Sequence, residues 1–195
     1  VGGGSLMTPL LILIFGIHPA TAVGTDLLYA ATTKSAGTVV HGLNKTIDWR
    51  VVLRLACGSV PAAAITLWVL SSTGTQNPAT THLLATVLGC MLMLTAISLV
   101  FRGTLARFAG RHRELPAAMQ IPLTVLTGIV LGVLVSISSV GAGAIGVSVL
   151  MLLYPKLPIH RIVGTDIAHA VPLTLVAGIG HWAIGDVDWH MLISL

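Results

Sequence analysis

Between residues 55 and 101 the sequence contains no Lys, Arg, Asp or Glu. A helix needs about 20 apolar residues to cross a bilayer, so this stretch alone can cross twice. Residues 1–25, 115–155 and 167–185 are equally free of charge. Only 8% of the chain is charged and 55% is hydrophobic, whereas a soluble domain carries about 25% charged residues. So few charges cannot cover a soluble surface, and the reading is an all-α, polytopic membrane protein. The net charge of +4 does not point to nucleic acid. The basic residues lie in short connections between apolar spans, where membrane topology accounts for them. Cys57 and Cys90 sit inside apolar segments and form neither a disulfide framework nor a metal-ligand cluster, so no metal or cofactor is expected.

The chain repeats itself. Val-Gly-Thr-Asp at 23–26 returns at 163–166, Asp48-Trp49 returns as Asp188-Trp189, and His41 returns as His181, all at an offset of 140 residues. Upstream, Val1-Gly2-Gly3-Gly4 pairs with Val140-Gly141-Ala142-Gly143 at an offset of 139. Matches in one order at one offset indicate a duplication. Each unit has a Gly-rich opening, a short apolar stretch, a Pro-containing connection, a second span and a third span opened by Asp-Trp. The first unit adds a fourth span. Residues 1–101 are assigned to the first membrane repeat, 102–120 to a basic linker, and 121–195 to an incomplete second repeat.

Four spans per unit is an even number, which predicts parallel copies related by an axis along the membrane normal. Arg102, Arg107, Arg111 and Arg113, against Glu114, place the linker in the cytoplasm together with Lys45 and Arg50; the uncharged segment 71–81 falls outside. Lys156 and Arg161 then also fall outside. That conflict disappears if residues 121–153 enter and return on one side. The first residues lack the basic region of a signal peptide, and Leu195 ends the chain inside an apolar run. Truncation at both ends is expected.

Glycines clustered at membrane depth suggest broken helices, tolerated where they are buried or line a cavity. A helix restarting after such a break directs its free N–H groups and positive dipole end into it, which makes an anion site. Gly2, Gly3, Gly4, Gly141 and Gly143 are the candidates, with Ser5 as a cap for the first restart. Close helix packing through small residues is the competing reading. Asp26 and Asp166 are the acids well inside apolar sequence, and such carboxylates are costly and usually functional. They read as a proton relay or cation-coupling pair, with Thr25 and Thr165 projecting from the same turns; helix starts near the interface are the alternative. Lys34, two turns beyond Asp26, would pair with it or attract an anion, unless it snorkels to the interface. His169, three residues after Asp166, stands within hydrogen-bonding range of it. His41 and His181 read as interfacial. Asp48-Trp49 and Asp188-Trp189 read as a helix cap with an interfacial anchor, and Pro61 as a kink in the third span.

The Gly-Gly-Gly opening, Gly-Thr-Asp-Leu-Leu-Tyr-Ala-Ala-Thr-Thr-Lys at 24–34, His41-Gly42, Asp48-Trp49, and Gly-Thr-Asp-Ile-Ala-His-Ala-Val-Pro at 164–172 resemble the TauE/SafE sulfite-exporter family of bacterial permeases. The likeness covers essentially the whole chain. Many members carry Ser where this chain has Asp26 and Asp166, and Ala142 interrupts the second Gly motif. The resemblance implies about eight spans in two halves, so that the chain would lack the start of its first span, the end of its seventh, and its eighth. It also implies a bacterial inner membrane and transport of small sulfur-containing anions such as sulfite or sulfonates.

The leading function is therefore a secondary transporter for small anions, not an enzyme. Gly2–Gly4, Ser5, Thr25, Lys34, Gly141, Gly143 and Thr165 would hold the substrate, with coupling at Asp26, Asp166 and His169. No nucleotide-binding loop is present, so energy would come from an ion gradient or the substrate's own. Its partners are the anion and the lipid bilayer, with self-association left open. A structural membrane subunit and an intramembrane hydrolase using Ser138, Ser139, His169 or His181 are the alternatives. Neither a Gly-x-Ser-x-Gly elbow nor His-Glu-x-x-His occurs to support the hydrolase.

Overall fold

The computed structural model describes residues 3–75, 77–101, 103–104 and 116–194. Within these lie eight helices and no strand: α1 (Gly3–Leu13), α2 (Pro19–Leu43), α3 (Trp49–Thr73), α4 (Pro78–Val100), α5 (Ala117–Ser138), α6 (Ala144–Leu153), α7 (Ile159–Ile184) and α8 (Trp189–Ser194). Local chemistry sets the starts. Asp48 caps α3 by accepting from the Arg50 and Val51 amides at 3.1 and 3.4 Å. Asn77 caps α4 at 3.0 Å from the Ala79 amide, and Pro78 follows it.

Helices α3, α4, α5 and α7 are long and apolar enough to cross a membrane. Helix α2 matches them in length, at 25 residues, but carries Asp26 and Lys34. Trp68, Met93 and Val100 are largely exposed. A surface this apolar is one that lipid covers. Pro61 lies inside α3, which continues to Thr73, and the nearby Gly58 lies against the α5 backbone.

Helix α2 packs along α7, and α3 along α5. Gly24 lies against His181, Leu28 against Gly178, Gly37 against Ile167, and His41 against Gly164. Residue numbers rise on α2 as they fall on α7, so the two helices are antiparallel. The contacts are also exchanged. Gly24 with His181 becomes His41 with Gly164 when each residue is replaced by its counterpart 140 positions away. Likewise the Asp48 amide donates to the Thr165 hydroxyl at 2.9 Å, and the Asp188 amide donates to the Thr25 hydroxyl at 3.1 Å. Swapped contacts of this kind mark a two-fold relation. An axis relating two antiparallel membrane helices lies perpendicular to them, in the membrane plane. The parallel arrangement expected from the span count is thereby corrected: these segments are inverted copies.

Helices α5 and α6 enter and return at one end. Gln120 Nε2 donates to the Leu153 carbonyl at 2.8 Å, and the Thr124 and Tyr154 hydroxyls lie 2.8 Å apart. Arg161 is 3.9 Å from Asp48, and Arg54 donates to the Tyr154 hydroxyl at 3.3 Å. Lys45, Arg50, Arg54, Lys156 and Arg161 therefore gather at one end of the bundle, which removes the conflict in the charge pattern. The opposite end holds the His18–Thr81 contact at 3.1 Å and the Thr75–Asp186 bond at 2.9 Å.

Thr25→Val and Thr165→Val should each destabilise the protein by about 1–3 kcal/mol, because each leaves one amide without its acceptor. Denaturant unfolding in detergent micelles measures this. A loss in one variant and none in the other would contradict the two-fold relation.

Candidate functional site

The site is built around the break between α5 and α6. Ser139 ends α5 in the left-handed region at φ 57°, its amide donating to the Val135 carbonyl at 2.7 Å. Gly141 and Gly143 follow at φ 120° and 126°. Glycine adopts these angles freely, whereas Ser139 costs about 1–2 kcal/mol. Such strain collects at functional sites. Here the Ser139 hydroxyl donates to Asp26 Oδ2 at 2.8 Å, and the Thr8 hydroxyl of α1 donates to the same oxygen at 2.6 Å. Asp26 is fully buried, and its Oδ1 has no hydrogen-bond partner among the described residues. A carboxylate at the C-terminal end of α5 faces the negative pole of that helix. A proton or a cation on Asp26 relieves this.

Helix α6 starts at Ala144 with no side-chain cap on its first turn. It is 10 residues long, about 15 Å, or half a bilayer. Its first N–H groups open into the break, apart from that of Gly146, which donates to the Gly141 carbonyl at 3.3 Å. Gly146, in its first turn, touches the Asp166 carboxylate, whose Oδ1 is buried and lacks a hydrogen-bond partner among the described residues. The break thus runs from one acid to the other, with Asp26 at Ser139 and Asp166 at Gly146. Lys34 lies half-buried on α2 within charge range of both acids and of His169.

Several expected roles change. Thr25 and Thr165 accept the cross-copy amides with their hydroxyl oxygens, which makes them clasps between the copies and leaves each O–H free to donate. His169 contacts the Ser59 hydroxyl at 2.8 Å rather than Asp166. Gly3 and Gly4 open α1, and Ser5 follows inside the helix; Gly2 lies outside the described residues. His181, read as interfacial, is fully buried and bonded to the Ser136 carbonyl. Thr8, Ser59 and Asp186 were missed as polar members of the interior, and Ser139 was considered only as a hydrolase residue. Each of these partners is remote in sequence, from 18 to 113 residues away for Thr8, Ser59 and Ser139, and local spacing cannot reveal such pairs. The Ser138 hydroxyl donates to backbone carbonyls, and the second ring nitrogen of His169 has no hydrogen-bond partner among the described residues.

The family described as "Sulfite exporter TauE/SafE" matches residues 1–195. The chain is 38% identical over 197 residues to "Probable membrane transporter protein YjnA" of Bacillus subtilis (strain 168), covering all of this chain and 77% of that one. It is 27% identical over 198 residues to "Probable membrane transporter protein YdhB" of the same organism, covering 76% of it. No solved structure matches the chain.

Proposed function

Because the chain belongs to the sulfite exporter TauE/SafE family and is a multi-pass membrane transporter, we propose that it carries small sulfur-containing anions, such as sulfite or sulfonates, across a bacterial inner membrane in exchange with protons. The basic end faces the cytoplasm. The observation that supports this reading is the α6 N-terminus opening at a glycine break between two buried acids, with Lys34 nearby. The α6 amides and Lys34 hold the oxyanion. Asp26 and Asp166 flank it, and an ionised carboxylate repels it. Anion affinity therefore rises as either acid takes up a proton, that is, as pH falls.

Flux in proteoliposomes tests this, with sulfite and an alkylsulfonate against chloride and sulfate. Sulfite or sulfonate should be carried in preference. Asp26→Asn and Asp166→Asn mimic the protonated acids, so both should keep anion binding at high pH and lose its pH dependence. Absence of flux for every sulfur anion would remove the substrate assignment. The parental pH profile in both Asn variants would remove the coupling.

A further inference from the structure

His181 is held at one ring nitrogen. Its Nε2 lies 2.9 Å from the Ser136 carbonyl oxygen near the end of α5. A carbonyl only accepts, so Nε2 carries a hydrogen, and Nδ1 of the neutral ring is a bare lone pair. That lone pair faces Asp186 Oδ2 at 3.6 Å. Apart from this contact, neither atom has a hydrogen-bond partner among the described residues. Both side chains are buried, and Asp186 Oδ1 already accepts from the Thr75 hydroxyl at 2.9 Å. Two acceptor atoms thus face each other away from water. One proton on either of them turns repulsion into a hydrogen bond or an ion pair.

We propose that His181 and Asp186 form a proton-binding site at the end of the bundle opposite the basic one, holding one exchangeable proton between Nδ1 and Oδ2. The duplication supplies an internal comparison. At the basic end the counterpart of His181 is His41, whose Nδ1 lies 2.8 Å from the Thr46 hydroxyl; Thr46 occupies the position of Asp186. A hydroxyl both donates and accepts, so that pair is complete with a neutral ring. Three elements face His181. Helix α2 presents Gly24, with Asp26 half a turn on; α5 presents the Ser136 carbonyl; the turn before α4 presents Thr75, with His18 behind it on Thr81. Asp188 caps α8 beyond. None of these is Lys or Arg.

The bound proton ties α7, α5 and the α3–α4 turn together, and its loss sets the two lone pairs against each other and loosens that end. This pair then adds a response of transport to pH at this face, beside that of Asp26 and Asp166, and the His41–Thr46 pair adds none at the basic end. This consequence rests on the transporter reading; the proton site does not. Nuclear magnetic resonance of ¹⁵N-histidine-labelled protein in nanodiscs tests the site directly. The His181 Nδ1 signal, identified by its loss in His181→Gln, should shift with pH in the parent. It should stay fixed in Asp186→Thr, which recreates the His41–Thr46 pair. Asp186→Asn, whose amide donates to Nδ1 permanently, should behave alike and serves if the threonine variant does not fold. In proteoliposomes the response of sulfite flux to pH at this face should be weaker in both variants than in the parent, and unchanged in Thr46→Val. A bare Nδ1 at every pH, the same in parent and Asp186→Thr, overturns the proposal. If no anion is carried at all while the Nδ1 signal shifts as described, the substrate reading fails and the proton site stands.

Discussion

Gly128→Val is expected to leave no folded protein to extract from the membrane. Helices α3 and α5 meet at backbone contact, with Gly128 on the Leu55 carbonyl, Gly132 on Ser59, and Gly58 on the Val125 carbonyl. Small residues allow this approach, and it supplies the packing that holds membrane helices together. A valine side chain at position 128 has no space and must push the helices apart. Overpacking alone costs about 1–3 kcal/mol, and separation forfeits the contacts along both helices as well. It also draws Ser59 away from His169, since α3 carries Ser59. Gel filtration of the detergent extract reads the outcome. Gly89→Val, where nothing lies within 4 Å, is the control and should behave as the parent. A monodisperse Gly128→Val protein would show that the α3–α5 contact is not this close.

Lys34→Ala is expected to raise the half-saturation for sulfite about thirty-fold. The other nine of the 10 Lys and Arg residues lie at 45–54, 102–113 and 156–161, so Lys34 is the cation of the bundle interior. A hydrogen bond to a charged group contributes about 1.5–3 kcal/mol, and 1.4 kcal/mol is tenfold in affinity. Removing the ammonium therefore weakens anion binding without touching the α6 amides. Concentration dependence of flux measures this, and Lys34→Arg should recover part of the loss. An unchanged half-saturation in Lys34→Ala would exclude Lys34 from the site.

The membrane helices and the two Gly-rich openings were legible because hydropathy and glycine spacing are local properties. The direction of the second copy was not. Counting spans gave an even number only because α6, at 10 residues, was treated like a full crossing. The misplaced positive charges of Lys156 and Arg161 were the signal that α5 and α6 return on one side. The acids were found individually, since charge inside apolar sequence stands out. Their partners were not, because a hydroxyl such as Ser139 or Thr8 looks unremarkable until the fold brings it to Asp26. Thr25 and Thr165 stand beside the acids in a conspicuous motif, but nothing local reveals that their hydroxyl oxygens accept from amides 163 and 117 residues away.

The exchanged contacts of α2 and α7 are those of a homodimer contained in a single chain. An ancestor one copy long would have had to insert into the membrane in both orientations and pair with itself. After fusion, each copy needed only one orientation, and selection on basic residues could then differ between them. The divergence is written in the sequence: Lys45, Arg50 and Arg54 of the first copy stand where the second has Gly185, His190 and Ser194. Each half has acquired the charge pattern that fixes which way it faces.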